Sequence, residues 1–469
     1  MPVNSFDDYP MAWKPDKARL AAPFYQYIAG ALEEDILSGA LPADTRLPPQ
    51  RELADFLDVN LSTITRAYKV CELKGLLYAV VGRGTFVAPN ARTKNLPFHE
   101  KAPEAFIELG MIEPFYQVNA AILEAARAVL ERPEATRLLE YGQAAGNSHQ
   151  LTAAEAWLRR FHVQARPDNL LIAAGSQNAL AVSLISLFKA GDKIAVDPYT
   201  YPNFIGLASF LHIQLVAVEG DEDGMKPQAL DTLCRQSGIS GVYLMPSCSN
   251  PMGIVMPMER REALARVIER HGLILVEDDA YAFLLPREFR PLAAAIPDRT
   301  VYICGTSKSL CAGLRVAFLA FPEAFRAHLA SGVTTINLKT VSFNAEIIAQ
   351  LILDGRAEEI VERKKALAAE RAAVYRRVFP HDDGRPAFFK WLPLPEGMDG
   401  DRLEQAARER GVHLLASRRF AVGARRPEAF ARLAISSPQS EEELSRGLRT
   451  VKELIEEGAG ARGGLDILV

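Results

Sequence analysis

The chain has no pair of cysteines at CxxC spacing, and its five cysteines (71, 234, 248, 304 and 311) are odd in number. That argues against a disulfide framework or a cysteine zinc site and for free thiols in a reducing compartment. Its eight histidines are scattered, with no two at metal-ligand spacing, so no metal is expected. No apolar run approaches the roughly 20 residues that a membrane span needs. The opening "MPVNSFDDYPMAWKPDK" is polar and does not read as a signal peptide. Internal repeats and low-complexity tracts are lacking, apart from a Gly-rich tail after Glu457. Net charge is only −4, which neither favours nor excludes nucleic acid, since a small basic face can hide in that total. These absences leave a soluble cytoplasmic protein with no membrane partner. What is present is apolar bulk: 49% hydrophobic against 24% charged residues over 469 positions, enough for two to four packed domains.

Two blocks read differently. Residues 20–88 form a short helical block, and 105–460 a long alternating one. Between them, 89–104 is polar and Pro-containing with no apolar period, as a linker is. In the first block, Tyr27, Ile28, Ala31, Leu32, Ile36 and Leu37 recur at helical spacing, and Gly39 stops the helix. "PPQRELADFLDV" is a second helix, started by its prolines. "LSTITRAYKVCELKGLL" is a third, with an apolar stripe at Ile64, Ala67, Tyr68 and Cys71 and an end near Gly75. "YAVVGRGTFVA" makes two short strands around a Gly-Arg-Gly turn. Three helices and a hairpin make a winged helix-turn-helix, with the third helix as the reader of double-stranded DNA.

Charge agrees. Between positions 33 and 58 there are seven acids and two arginines, whereas 61–83 carry Arg66, Lys69, Lys74 and Arg83 against Glu72 alone. The basic part coincides with the reading helix and wing, where phosphates would lie; the plainer reading is an ordinary solvated helix face. The stretch "GALPADTRLPPQRELADFLDVNLSTITRAYKVCELKGLLYAVVGRGTFV" resembles the DNA-binding domain of the GntR family nearly end to end. The resemblance implies DNA contacts at Arg51, Ser62, Thr63, Thr65 and Arg66, with Arg83 and Gly84 of the wing in the minor groove. Leu61 stands where the family commonly has arginine, and Asp44 where glycine is usual.

In the long block, "NLLIAA", "KIAVDP", "IQLVAVEG", "GVYLMPS", "GLILVEDD", "TVYICG" and "RVAFLAF" read as strands, several of them separated by amphipathic segments such as 177–190, 226–236 and 257–271. That alternation predicts an α/β fold with a mostly parallel sheet covered on both faces. Ligands of such sheets sit at the strands' carboxyl ends. There the sequence places Gly175-Ser176-Gln177, Tyr201, Asn250-Pro251, Asp278, Tyr281 and Lys308. A lysine that can deprotonate forms a Schiff base with an aldehyde. A carboxylate such as Asp278 keeps a pyridine nitrogen protonated, making the ring an electron sink. Asn250 and Tyr281 can bond a phenolate oxygen, and Tyr201 can stack on the ring. Ser176 and the backbone N–H groups at a helix start, with Ser307 and Arg315, can hold a phosphate. Together these describe pyridoxal 5′-phosphate (PLP). Singly each has a plainer reading: Lys308 on an exposed loop, Asn250-Pro251 as a turn, Asp278 in a solvated acidic cluster with Glu277 and Asp279, Arg315 at the surface.

The motifs "YGQAAG", "GSQNAL", "TYPN", "SNPMG", "EDDAY" and "TSKSLCAGLR" resemble those of fold-type I aminotransferases, over about 105–455. The resemblance implies Lys308 as catalytic Schiff-base lysine and a cofactor held by Ser176, Gln177, Tyr201, Asn250, Asp278, Tyr281, Ser307 and Arg315. It further implies that Tyr141 reaches the phosphate of a partner subunit and that Arg432 binds a substrate carboxylate, in a domain completed by a smaller α+β subdomain. Gly305 departs from the pattern, since many relatives carry serine three residues before the lysine. No arginine lies between Arg166 and Arg235, which offers no obvious second carboxylate clamp near Tyr201. The two blocks together resemble MocR-type transcriptional regulators. That family implies a homodimer, often with each DNA-binding domain packed on the other subunit, and a small amine or amino-acid effector sensed as an aldimine at Lys308. Two alternatives stay open: an active aminotransferase carrying a DNA-binding domain, at least as a half-reaction, or a sensor of PLP itself.

Overall fold

The computed structural model describes residues 11–42, 45–80, 82–88, 106–423 and 429–463. The linker at 89–104 and the Asp44 departure lie outside these. In the first block, α1 (Phe24–Ser38) ends on Gly39, whose φ of 87° is the left-handed C-cap that a glycine adopts without strain. Pro49 starts α2 (Gln50–Leu57), and Asn60 caps α3 (Leu61–Leu73) by accepting from the Ser62 N–H. The stripe Ile64, Ala67, Tyr68 and Cys71 is buried against Ile28, Leu32, Ile36, Leu53 and Leu57. β1 (Leu77–Val80) and β2 (Gly84–Val87) form the antiparallel wing.

All seven expected strands of the long block fall in one sheet: β3 (Leu170–Ala173), β4 (Lys193–Val196), β5 (Gln214–Ala217), β6 (Ile239–Leu244), β7 (Ile274–Asp278), β8 (Thr300–Gly305) and β9 (Ala317–Ala320). Their order is β3-β9-β8-β7-β6-β4-β5. Every pairing is parallel except those of β9, which runs antiparallel to β8 and β3. The antiparallel strand has a consequence for the site. It brings its amino end, just after Arg315, to the edge where the other strands end. Helices α4 (Ser176–Leu187) and α5 (Pro202–Phe210) start at that edge too, directly after β3 and β4.

A second, smaller unit holds α6 (Arg356–Val378) and an antiparallel sheet of β10 (Lys390–Pro393), β12 (Phe430–Leu433) and β11 (Leu415–Ala416), closed by α7 (Glu441–Gly463). It has its own core around Tyr375, Leu403, Leu433 and Leu448. The pair Ile107–Glu108 joins this unit by parallel pairing with Val412–His413, a link across the length of the block that no local pattern announces. In this single chain the winged helix rests on its own large domain. Ser209 Oγ near the end of α5 donates to the Lys74 carbonyl at 3.4 Å, and a cleft lined by Lys69, Leu73 and Tyr78 faces Ile205 and Val422.

Candidate cofactor site

At the carboxyl edge of the sheet a cavity of roughly 520 Å³ collects Ser176, Gln177, Tyr201, Asn250, Asp278, Tyr281, Ser307, Lys308, Arg315 and Arg432. Strand direction explains most of the gathering: eight of these residues follow, or end, a parallel strand, while Arg315 precedes the antiparallel β9 and Arg432 comes from β12 of the smaller unit. Lys308 lies in a one-turn helix, Thr306–Ser309, immediately after β8. Its Nζ donates to the Ile112 carbonyl at 2.5 Å. Burial, then the positive charges of Arg432, Lys364 and Arg315, lowers its pKa to about 7. A lysine so placed is a free amine for much of the time near neutrality, the state in which it attacks a carbonyl carbon.

Asp278 is buried at the end of β7. Its Oδ2 accepts from the Tyr243 hydroxyl at 3.1 Å, while Oδ1 has no partner. Burial raises its pKa to about 7, so a cationic N–H donor is what would restore its charge. The neighbouring acids are not a solvated cluster: Glu277 accepts from the Leu292 and Ala293 N–H groups, and Asp279 from the Tyr302 hydroxyl, all inside the protein. Asn250 Oδ1 is taken by Arg432 Nη1 at 3.0 Å, which leaves the amide nitrogen as the donor available to an oxygen. Tyr281 is packed edge-on against Phe388 and Phe389. The Tyr201 hydroxyl accepts from Asn203 Nδ2 at 3.0 Å.

The end of the cavity at Ser307 and Arg315 is built from two glycines as much as from donors. Arg315 Nη1 donates to Ser307 Oγ at 2.8 Å, and Arg315 itself has a φ of 51°. That left-handed backbone costs a non-glycine residue about 1–2 kcal/mol, so surrounding structure must hold it. A Cβ on Gly175 would lie 2.4 Å from the Arg315 guanidinium, and Gly175 has a φ of 85° besides. A Cβ on Gly305 would lie 2.1 Å from Ser176 Oγ. The serine absent at 305 is therefore matched by a hydroxyl arriving from α4 into the same space.

Arg432 on β12 is 1% exposed. Its Nη2 donates to the Gly110 carbonyl, and its Nε has no partner. Burial lowers its pKa to about 10, so it stays cationic near neutrality. Orphaned buried polar atoms cost roughly 1–3 kcal/mol each. Three residues lining this one cavity carry such atoms: Gln177 Oε1, Asp278 Oδ1 and Arg432 Nε. The donor set fits PLP. An anion cradle, an amine, a lone carboxylate oxygen and an amide donor occupy one pocket.

Tyr141 is not in the cavity; it stands 89% exposed on the surface. In the winged helix, Arg51, Ser62, Thr65, Arg66, Arg83 and Gly84 are exposed and Thr63 partly so. At least three are engaged. Ser62 Oγ donates to Asn60 Oδ1 at 2.8 Å, Thr65 Oγ1 donates to Gln50 Oε1 at 2.7 Å, and the Arg66 guanidinium lies 3.8 Å above the Tyr25 ring. Sequence reasoning missed several residues of the larger site. Tyr243 has a signal of sorts, a lone polar aromatic in a buried strand. Lys364, which donates to the Lys308 and Leu310 carbonyls at 3.0 and 2.8 Å, looks like any lysine on α6. Glu108, which binds the Gly110 and Met111 N–H groups and His413 Nδ1 at 2.7, 2.7 and 2.8 Å, gives no local signal.

The family model for class I and II aminotransferases matches residues 106–451, and that for bacterial regulatory proteins of the gntR family matches 24–87. An uncharacterized HTH-type transcriptional regulator of Bacillus subtilis (strain 168), YdeF, is 36% identical over 97% of this chain and 100% of its own. The probable rhizopine catabolism regulatory protein MocR of Rhizobium meliloti is 26% identical over 81% of both. The crystal structure of LysN, the α-aminoadipate aminotransferase of Thermus thermophilus, superposes with a TM-score of 0.71 at 22% identity, covering 78% of this chain and 96% of that one; at that identity the likeness is one of fold. The chain thus belongs to the class I and II aminotransferase family and carries a GntR-family DNA-binding domain in front of it, as MocR-type transcriptional regulators do.

Proposed function

We propose that the chain is a PLP-dependent, DNA-binding transcriptional regulator that senses an amine or amino acid by exchange at Lys308, and that it works as a homodimer. PLP supplies an aldehyde that takes up amines and a ring that withdraws electrons. In this reading the protein's residues do the rest. Lys308 holds the aldehyde carbon until an effector amine takes its place. Asp278 keeps the ring nitrogen protonated, helped by the Tyr243 hydrogen bond on its other oxygen. Asn250 and Tyr281 face the phenolate oxygen, and Tyr201 the ring. Ser176, Gln177, Ser307 and Arg315 hold the phosphate. Arg432 takes the effector carboxylate in its planar fork. Tyr141 serves the partner subunit's phosphate from the surface. Arg51, Ser62, Thr63, Thr65 and Arg66, with Arg83 and Gly84 of the wing, meet operator DNA.

The observation that carries a regulator rather than an enzyme is helix α5. It begins at Tyr201, in the cavity wall, and near its end Ser209 touches Lys74, just past the reading helix. A change in how Tyr201 is held has a short route to the DNA-binding block, and an effector can shift such an equilibrium only by its differential affinity for two states. A second reading, an active aminotransferase, is favoured by the Lys308 pKa of about 7, suited to a general base.

The test is to load the purified protein with PLP and titrate amines and amino acids, with and without a 2-oxo acid. Absorbance, released oxo acid and operator binding are read together. The regulator reading expects a spectral change and altered operator affinity without net product; steady oxo-acid formation with unchanged operator binding would replace it by the enzyme reading. Lys308→Ala should remove the visible band of lysine-bound cofactor entirely.

A further inference from the structure

Two buried cations lie on one face of α6, and neither lines the cavity. Lys364 is 1% exposed and Arg371 4%. They stand about two helical turns apart. Lys364 Nζ donates to the Lys308 and Leu310 carbonyls at 3.0 and 2.8 Å. Arg371 Nη1 and Nη2 donate to the Ser440 and Gln439 carbonyls at 2.5 and 3.4 Å, in the segment that joins β12 to α7. So α6 grips the turn that carries Lys308 with one cation, and the chain leading on from Arg432 with the other.

The Lys308 turn needs a donor from outside. Thr306–Ser309 is a single helical turn, too short to satisfy its own last carbonyls. Its start is held beside β9, where the Thr306 N–H and hydroxyl both donate to the Val316 carbonyl, at 3.1 and 2.8 Å. Just beyond it the Leu310 and Cys311 N–H groups converge on the Thr306 carbonyl at 2.8 and 3.0 Å. At its end the Lys364 ammonium takes the Lys308 and Leu310 carbonyls. A buried ammonium is costly beside an apolar residue of similar length. Among the described residues no carboxylate pairs with this one; the charge it feels is that of the Cys311 thiol. What lysine contributes at 364 is therefore its donors, and they go to the backbone that presents Lys308.

We propose that Lys364 is a positioning residue for Lys308: held on α6, it fixes the turn from which the Lys308 amine reaches an aldehyde carbon. The proposal rests on the PLP reading of the cavity and adds a residue that acts on it from outside. When an amine condenses with an aldehyde, its lone pair forms the carbon–nitrogen bond and its two hydrogens leave with the aldehyde oxygen as water. Misplacing a reacting group by about 1 Å slows such a step by up to about a hundredfold. Through Arg371 the same helix ties that placement to the unit that carries Arg432.

The experiment compares the full-length protein with Lys364→Met, which keeps the length and loses the donors, and Lys364→Arg, which keeps donors and charge. Stopped-flow absorbance follows growth of the visible band of lysine-bound cofactor when PLP is added to cofactor-free protein. In Lys364→Met the rate at saturating PLP should fall about tenfold or more, while the PLP concentration giving half that rate stays within about threefold. Lys364→Arg should recover the rate to within about threefold of the unaltered protein. A second readout needs no cofactor. Hydrogen exchange of the Leu310 and Cys311 amides should be slow in the unaltered protein and about tenfold or more faster in Lys364→Met. A methionine variant that melts lower but forms the band at the unaltered rate overturns the proposal, because Lys364 would then be structural only. So does an arginine variant no faster than the methionine one. If melting curves show neither variant folded, the unaltered protein decides: amides at 310 and 311 that exchange as fast as exposed chain overturn the proposal, and slow ones support it. Failure of the PLP reading looks different, with no visible band in the unaltered protein at any PLP concentration; the exchange readout then still decides whether Lys364 holds the turn.

Discussion

The winged helix and the cavity at the sheet edge present the residues proposed to work in them in opposite ways. Arg51, Arg66 and Arg83 stand in solvent on a block whose core is a single small cluster. Lys308, Asp278 and Arg432 sit within the fold with pKa values moved by burial to about 7, 7 and 10. A surface that reads a polyanion keeps its cations hydrated until DNA arrives, so they cost the folded protein little. A pocket that holds a cofactor desolvates its charges beforehand, and the unliganded protein bears that cost. The comparison teaches that the two sites trade stability against function differently. Substitution in the first should lose binding alone; substitution in the second should lose binding and gain stability.

The largest expected effect lies in the cavity. Folding raises the Asp278 pKa from 3.8 to about 7, so native protein binds a proton there that the unfolded chain releases. The native state is thus penalised as pH rises from about 4 to 7, and the penalty is complete at pH 8, where it reaches a few kcal/mol. Asp278→Asn should raise the melting temperature of cofactor-free protein at pH 8, much less at pH 4, while weakening PLP affinity by about a hundredfold or more, about 2.7 kcal/mol. Melting curves at the two pH values and a PLP titration check this. A variant less stable than the unaltered protein at pH 8 would break the comparison from the pocket side. On the DNA side, Arg51→Ala should weaken operator binding by about 1–3 kcal/mol with melting unchanged within about 0.5 kcal/mol. Gel shifts over a salt series, beside melting curves, are the measurement; a large loss of stability would show Arg51 to be structural. The smallest effect is expected at Gly305→Ala, where a methyl forces Ser176 Oγ aside. PLP affinity should fall several-fold, about the worth of one neutral hydrogen bond, which the same titration would read.

Sequence made the sheet legible because each of its seven strands is a short apolar run, and most of the cavity residues fall at a strand's carboxyl end. Lys308, Asp278 and Asn250 could be placed that way before any coordinates. It also made the reading helix legible, through the stripe Ile64 to Cys71. What stayed hidden depends on contacts across the whole chain. His413 meets Glu108 across a separation of 305 positions, and Arg132 and Gln150 both converge on the buried Glu346. The acidic run Glu277-Asp278-Asp279 leaves a solvated cluster open as the plainer reading, because composition says nothing of which backbone N–H groups will arrive. Lys364 and Glu113 give no signal because a lysine on a helix and a glutamate beside a proline are common, and only the packed structure shows that the first holds the Lys308 and Leu310 carbonyls and the second lines the cavity.

Gly305 and Ser176 are a coupled pair, because the space a Cβ at 305 would occupy is the space the Ser176 hydroxyl fills. A side chain at 305 has to turn that hydroxyl to another rotamer, so the effect of a change at either position depends on the residue at the other.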